Sequence, residues 1–347
     1  MIHTKKLVFT FLAVFVLGSA AGIFIPNDAA ALDESYFKGK KMTFLVPFKP
    51  GGGFDTYARL LSPYIEKYLP VRNVIVKNEP AGGGLAAMNR LARSKPDGRT
   101  IMIIQTGAAL INELAEVKGI RYRSGEFTWL ARVTSSPNVL VSRPNSPIKT
   151  MADMKSLNRE VAIASIGRDF STITAILMLK AFDIPYRTVM GYSGSGEQIM
   201  AVIRGDADVC ALSISTLKPS IDAGELHPLM VLGKMETDMP KFHELAAQLN
   251  ISEKNKTMLD SLAGILDIYR SIAASPGLSP ELSRIMRTAF KKAFTDPGFL
   301  ASAKKSNRPV HYLEGEETQR LVESAVKNFK EDASFMKMVK DIFGGSY

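Results

Sequence analysis

The stretch FLVPFKPGGGFDTYARLL, residues 44–61, runs from an apolar strand through three consecutive glycines into a helical pattern. Three glycines in a row are costly in backbone entropy, so the bare backbone should serve something that approaches it closely. A nucleotide phosphate, a small anion in a cleft and an empty flexible turn are the three readings the stretch allows by itself. After the glycines, apolar residues at 57, 60, 61, 64, 65 and 68 repeat at the spacing of one helix face.

Outward from this stretch, strand and helix patterns alternate. NVIVKN (73–78) is a second strand, followed by EPAGGG and the helix LAAMNRLARS; Pro96-Asp97-Gly98 turns into a third strand, TIMIIQT (100–106). Such βαβ repeats predict a parallel sheet with helices on both faces. FTWLARV and NVLVSRP read as an extended pair around the turn signal Ser135-Ser136-Pro137-Asn138. A second series follows: strand 160–167, helix DFSTITAILMLKAF, strand YRTVMGY, a Gly/Ser turn with its helix, and the strand ADVCALS. The C-terminal part is helical, with Ser279 as an N-cap before Pro280 and Glu281.

Four strand-to-helix turns share one chemistry: Gly51–Gly53, Gly82–Gly84, Ser165–Ser171 and Ser193–Gly196. A helix N-terminus leaves backbone N–H groups unpaired and carries partial positive charge, so small residues there make a ready anion site. In open α/β sheets, ligands gather beyond the carboxyl ends of the strands. Turns from two halves facing across a cleft would hold an anion from both sides. GGGFDT lacks the Lys-Ser or Lys-Thr of a phosphate-binding P-loop, and no turn fits GxGxxG cleanly.

The chain has 347 residues, enough for two α/β lobes, and a formal net charge of +10 from 44 basic and 34 acidic residues. The basic residues are spread out, as in Lys291-Lys292 and Lys304-Lys305, without nucleic-acid motifs; they read as solvated faces whose field attracts anions. At the N-terminus, Lys5 and Lys6 precede an apolar h-region, Leu7–Leu17, of 11 residues, and Ala29-Ala30-Ala31 offers a small-residue cleavage site. This reads as a cleavable secretory signal over 1–31, since a spanning helix needs about 20 apolar residues. Cys210 is the lone cysteine, in an apolar run, and reads as a buried inert thiol; His227, His243 and His311 show no metal-ligand spacing. No metal or cofactor is expected.

The 44–61 stretch, together with VKNEPAGGGLAAMNRLARSKPDGRTIMI (76–103), GYSGSGEQIMAVIRGDADV (191–209) and SIAASPGLSPELSRIMRTAFKKAFTDPGF (271–299), resembles the substrate-binding proteins of tripartite tricarboxylate transporters. The resemblance covers nearly all of the chain after the signal. It implies an α/β type II periplasmic binding fold, with two lobes around a ligand cleft joined by crossover strands. The expected boundaries are 32–134 in lobe 1, 135–235 in lobe 2, and a return segment 236–347 in lobe 1. It implies capture of a di- or tricarboxylate or related organic acid without catalysis, delivery to a membrane transporter with a large and a small subunit, and a monomer.

Carried onto this chain, the resemblance places a ligand loop at Phe48–Asp55, with the N–H groups of Gly52, Gly53 and Phe54 meeting a carboxylate. Asp55 is expected as the N-cap of the following helix, and Thr106 as a hydroxyl donor in the same lobe. Ser165, Gly167 and Ser171, then Tyr192, Gly194 and Ser195, supply the opposing lobe. Departures from the family pattern fall at Lys49, Phe54, Arg168 and Asp169. Phe54 is expected either to stack on the ligand or to face solvent, and Arg168 either to pair a distal carboxylate or to face solvent. Asp208 reads as structural. Two other outputs stay open: presentation of the ligand to a membrane sensor kinase, and a periplasmic hydrolase using Ser165 or Ser195.

Overall fold

A computed structural model describes residues 34–82, 84–167, 170–331, 336–337 and 340. The secretory signal expected over 1–31 and the side chains of Arg168 and Asp169 lie outside the described residues.

The first lobe begins with β1 (Lys41–Val46), α1 (Gly53–Tyr68), β2 (Asn73–Asn78), α2 (Leu85–Ala92), β3 (Thr100–Gln105), α3 (Thr106–Leu114) and β4 (Thr128–Thr134). β1 lies between β2 and β3, parallel to both, with Phe44 opposite Val76 and Ile101. Its last three residues are buried, as an apolar strand covered on both faces must be. α1 buries Tyr57, Leu61 and Ile65 of the stripe read from its sequence, together with Ala58.

The second lobe holds β5 (Asn138–Ser142), α4 (Met151–Lys155), β6 (Val161–Ala164), α5 (Phe170–Ala181), β7 (Tyr186–Val189), α6 (Ser195–Arg204), β8 (Cys210–Ser213), α7 (Ile214–Asp222) and β9 (His227–Leu232). β5 pairs antiparallel with both β8 and β9. The parallel pair β6–β7 joins them through Val209, whose N–H donates to Ala162 O at 3.1 Å and whose carbonyl accepts from Ala164 N at 2.9 Å. Cys210 is buried here, and burial pushes its thiol up to about 12, which keeps it unreactive.

β4 and β5 do not pair with each other. β4 stays in the first sheet beside the returning strand, and residues 135–137 carry the chain into the second sheet. The turn signal at 135–138 is therefore a crossover. All five residues of β5 are buried, so the strand needs neighbours on both edges and finds them in β8 and β9.

After β9 come α8 (Phe242–Gln248), α9 (Glu253–Asp267), β10 (Arg270–Ala274), α10 (Pro280–Thr295), α11 (Pro297–Lys305), β11 (Leu313–Glu314) and α12 (Gly315–Glu331). The first sheet closes in the order β11-β4-β10-β3-β1-β2. Residues 236–269, expected with the first lobe, start on the second: Val231 N donates to Pro240 O at 2.8 Å, and α8 packs on β9. α9 then touches α5 on one side and α3 and α12 on the other, spanning both lobes. Among the described residues no helix is long and apolar enough to cross a membrane.

Asp296 ties the C-terminal helices to α1. Its buried carboxylate caps α11 through Gly298 N and Phe299 N and accepts from Lys67 Nζ and Tyr68 Oη, each at 2.6 Å. The Lys67 and Tyr68 hydrogen bonds hold it well below the ordinary carboxylate value. A depressed folded-state pKa contributes stability above the unfolded value, near 3.9, and loses it as pH falls through the folded one. Asp296→Asn should thus melt below wild type at pH 7, and the gap should shrink steadily below about pH 4. Melting curves from pH 7 to 2 check this; a gap independent of pH would remove Asp296 from the acid limb.

Candidate functional site

The triple-glycine loop is laced from its inner side. Gly51 adopts φ +85°, a conformation suited to glycine, and Gly52, with extended backbone, is the residue that caps α1. Asp55 is the third residue of the helix, not its N-cap. Its buried carboxylate turns back to accept from Gly51 N, Arg59 Nε and Asn78 Nδ2, each at 2.9 Å, while Asn78 also donates to Phe48 O at 3.0 Å. Burial pushes the Asp55 pKa up, but the hydrogen bonds from Arg59, Gly51 and Asn78 outweigh it and keep the group ionised. Asp55 therefore shapes the loop with no oxygen to spare. The N–H groups of Gly53 and Phe54 have no acceptor among the described residues.

Against these amides lies Arg270, the first residue of β10, which sits between Gln105 of β3 and Thr134 of β4. It is 7% exposed, yet it makes no ion pair among the described residues and its buried Nε has no hydrogen-bond partner. Aromatic faces hold it instead: the guanidinium lies 4.7 Å from the Phe54 ring, 4.6 Å from Tyr269 and 5.5 Å from Tyr57. A Cβ at Gly53 would stand 3.3 Å from Arg270 Nη2, so the missing side chain there gives the guanidinium its place at the helix end.

Phe54 accordingly neither faces solvent nor stands free for a ligand. It is 7% exposed, packed between Phe48, at 4.6 Å between centroids, and Tyr269, at 6.0 Å. Phe170 of the second lobe continues the series, 6.4 Å from Tyr269. Thr106 is fully buried at the start of α3, its N–H donating to Tyr269 O at 3.1 Å and its hydroxyl unpaired. A hydroxyl enclosed in this way does not open onto a cleft.

In the second lobe, Ser165 is 1% exposed, and its hydroxyl accepts from Gly167 N at 3.0 Å and Thr172 Oγ1 at 3.1 Å. It orders its own turn. Gly167 takes φ +111°, and Ser171 accepts from Gln198 Nε2 at 3.4 Å. Gly194 caps α6, Ser195 is that helix's first residue, and Tyr192, Gly194 and Ser195 are all half-buried. Asp208 is structural: it takes Arg159 through both oxygens, at 2.6 and 2.9 Å, and accepts from Ala162 N. The described histidines have partners away from both serines: His311 meets Thr134 and Ser135, His227 meets Lys149 O, and His243 faces Asp260.

A bay of about 1120 Å³ opens between the lobes, and none of the described residues expected from the sequence lines it. Its walls are the crossover 134–137, one side of α7 from Ile214 to Asp222, residues 234–236, and the end of α11 with residues 307–311; Arg270 also lines it. Arg308, half-buried, has a buried Nε without a partner. Tyr57 links the two arginines, its hydroxyl donating to Pro309 O at 2.6 Å. Burial pushes the Tyr57 pKa up, while the charges of Arg270 and Arg308 pull it down.

Sequence reasoning missed both arginines. The available signal was DIYRSIAAS, where a lone arginine enters an apolar strand. An ionised side chain is seldom buried there without a task.

A family model for the tripartite tricarboxylate transporter family receptor matches residues 58–334. The chain belongs to that family. A UPF0065 protein of Bordetella pertussis is 24% identical over 82% of this chain and 86% of its own length. BugT, from the same organism, is 26% identical over 61% of this chain and 67% of its own. Solved structures of like fold include a TctC solute-binding protein from Polaromonas, with TM-score 0.66 and 18% identity over 88% of this chain and 98% of that one. MatC from Rhodopseudomonas palustris with bound malate has TM-score 0.61 and 20% identity over 87% and 98% of the two chains. A second R. palustris protein, with adipate, has TM-score 0.64 and 19% identity over 86% and 97%. The receptor thus shares the α/β fold of periplasmic solute-binding proteins.

Proposed function

We propose that this receptor captures a small organic acid between its lobes in the periplasm and delivers it to a transporter with large and small membrane subunits. One observation carries the reading: a buried guanidinium with no acid partner among the described residues stands beside two amides, likewise unpaired, at the N-terminus of α1. A carboxylate placed there receives charge-assisted hydrogen bonds from Arg270 and from Gly53 and Phe54 N–H, each contributing about 1.5–3 kcal/mol. Gly52 keeps the approach open, and Tyr192, Gly194 and Ser195 meet the ligand from the second lobe. Ser165 and Asp55 hold their turns in shape beneath it, and Thr106 ties the start of α3 to Tyr269 through its backbone N–H. Binding across both lobes shifts the protein towards its closed form, which the transporter reads. The bound malate and adipate of the two R. palustris proteins make four- to six-carbon diacids the first ligands to try.

The test is a melting-temperature screen of the protein, as a monomer freed of its signal, against mono-, di- and tricarboxylates, amino acids and phosphate esters. A ligand at 100 times its dissociation constant adds about 2.7 kcal/mol. A carboxylate hit supports the receptor reading. Response to phosphate esters alone, or to no acid, overturns it.

A further inference from the structure

We propose that the bay beyond Arg270 is a second oxyanion subsite, formed by Arg308 and Lys304 of the first lobe and the first turn of α7 of the second. The proposal rests on the receptor reading, because the same closing cleft has to hold both anionic groups.

Three features of the bay converge on one chemistry. Charge is the first: Lys218, Lys234, Arg270, Lys304 and Arg308 line it against Asp222 and Glu236. Asp222 is already taken by Lys218, at 2.9 Å, and Glu236 is exposed. Lys234 leans to Asp267 at 3.6 Å, outside the bay's lining. Arg308 and Lys304 have no carboxylate within ion-pair distance among the described residues.

The second feature is the amino end of α7, a nine-residue helix. Ile214 N is satisfied by Pro137 O at 2.9 Å, whereas Ser215 and Thr216 N–H have no acceptor among the described residues. Ser213 Oγ meets Thr216 Oγ1 at 2.8 Å and Ser215 Oγ at 3.2 Å, so hydroxyls as well as amides cluster at this end. A helix start with unpaired amides favours negative charge.

The third is independent of the helix. Arg270 lines the same bay, more than nine-tenths buried and with an unpartnered Nε, and Arg308 Nε is likewise buried and unpartnered. Arg308 and Lys304 of one lobe and a helix N-terminus of the other, facing the same open space next to the Arg270 cradle, form a clamp for an oxyanion. Its occupation ties α7 to α11 and favours closure. The oxyanion is either the far acid group of the captured ligand or a free ion such as sulfate, and these two sources separate experimentally.

Isothermal titration of the wild-type protein and three variants would use glutarate, its monoacid counterpart pentanoate, and sodium sulfate. Glutarate binding at least tenfold tighter than pentanoate identifies the ligand's own second group. Sulfate binding that tightens pentanoate identifies a free oxyanion. Either advantage should vanish in Arg308→Met and in Ser215→Asp, with affinity for pentanoate alone unchanged. Ser215→Asp is informative because an acid in the first helical turn suits the helix dipole, so melting temperature should hold or rise while anion binding falls. The subsite is overturned if glutarate and pentanoate bind alike without a sulfate effect, if neither glutarate nor sulfate binds, or if the advantage survives in both variants. Arg270→Met separates the underlying reading: undiminished pentanoate binding there removes the cradle at α1 while leaving the Arg308 result standing.

Discussion

Arg270→Met should weaken binding of the captured acid by about 100-fold or more without lowering the melting temperature. A factor of 100 corresponds to about 2.7 kcal/mol, the scale of one or two charge-assisted hydrogen bonds withdrawn from a carboxylate. The stability half of the expectation comes from the cost Arg270 bears in the free protein. Its guanidinium is buried without a carboxylate among the described residues, its Nε is unsatisfied, and it lies over the rings of Phe54, Tyr57 and Tyr269. Methionine fills similar space beside those rings and requires no partner. Exchanging buried ionic groups for apolar ones of like volume is often neutral or stabilising. Calorimetric titration with a ligand from the screen, alongside melting curves, measures both halves. Arg270→Lys should fall between, since a lysine keeps the charge and loses the fork. Wild-type affinity in Arg270→Met would remove the arginine from the site, and a collapse of stability would make it a structural residue.

The second large effect concerns the contact between lobes. Gly107, in the first turn of α3, has no room for a side chain: a Cβ would stand 2.2 Å from Ile265 Cγ2 on α9 and 2.8 Å from Phe170 Cζ at the start of α5. Gly107→Ala should destabilise the protein by about 1–3 kcal/mol, the usual range for overpacking. Phe170 belongs to the second lobe and Ile265 to α9, which touches both lobes, so relief of the strain moves α9 and the second lobe away from α3. Affinity should then fall several-fold although Gly107 touches no ligand, because opening competes with capture. Melting temperature, titration and small-angle scattering of the free and ligand-saturated variant test this together. A variant as stable, as compact and as tight-binding as wild type would show that this contact does not oppose opening.

Much of the architecture was legible where local pattern suffices. The stripe 57, 61, 65 buries α1, and the apolar runs at 42–46 and 100–105 became adjacent parallel strands. Ser279 caps α10 as read, its hydroxyl accepting from Leu282 N at 3.2 Å. The Gly/Ser turns do open helices at Gly53 and Ser195. Local pattern failed where the partner is distant in sequence. Ser135–Asn138 looks like a hairpin from its residues, but strand pairing is settled by which edges are free, and those of β5 are met by β8 and β9, 70 and more residues on. Asp55 has the composition of an N-cap; Arg59 takes one oxygen from within α1, but that Asn78 takes the other depends on β2 lying alongside α1.

The residue order alone carried the family, the α/β class and the position of the anion-seeking helix start, because these rest on glycines and periodicities within single elements. Tertiary structure alone decided what stands opposite that helix start. Arg270 follows Gly53 by 217 positions and reaches it only because β10 returns antiparallel between β3 and β4. The aromatic faces that hold its charge come from α1 and from Tyr269 just before β10, and the second arginine with an unpartnered Nε from the segment after α11. A charge without a partner is a property of the surrounding space, and that space exists only after the chain has folded.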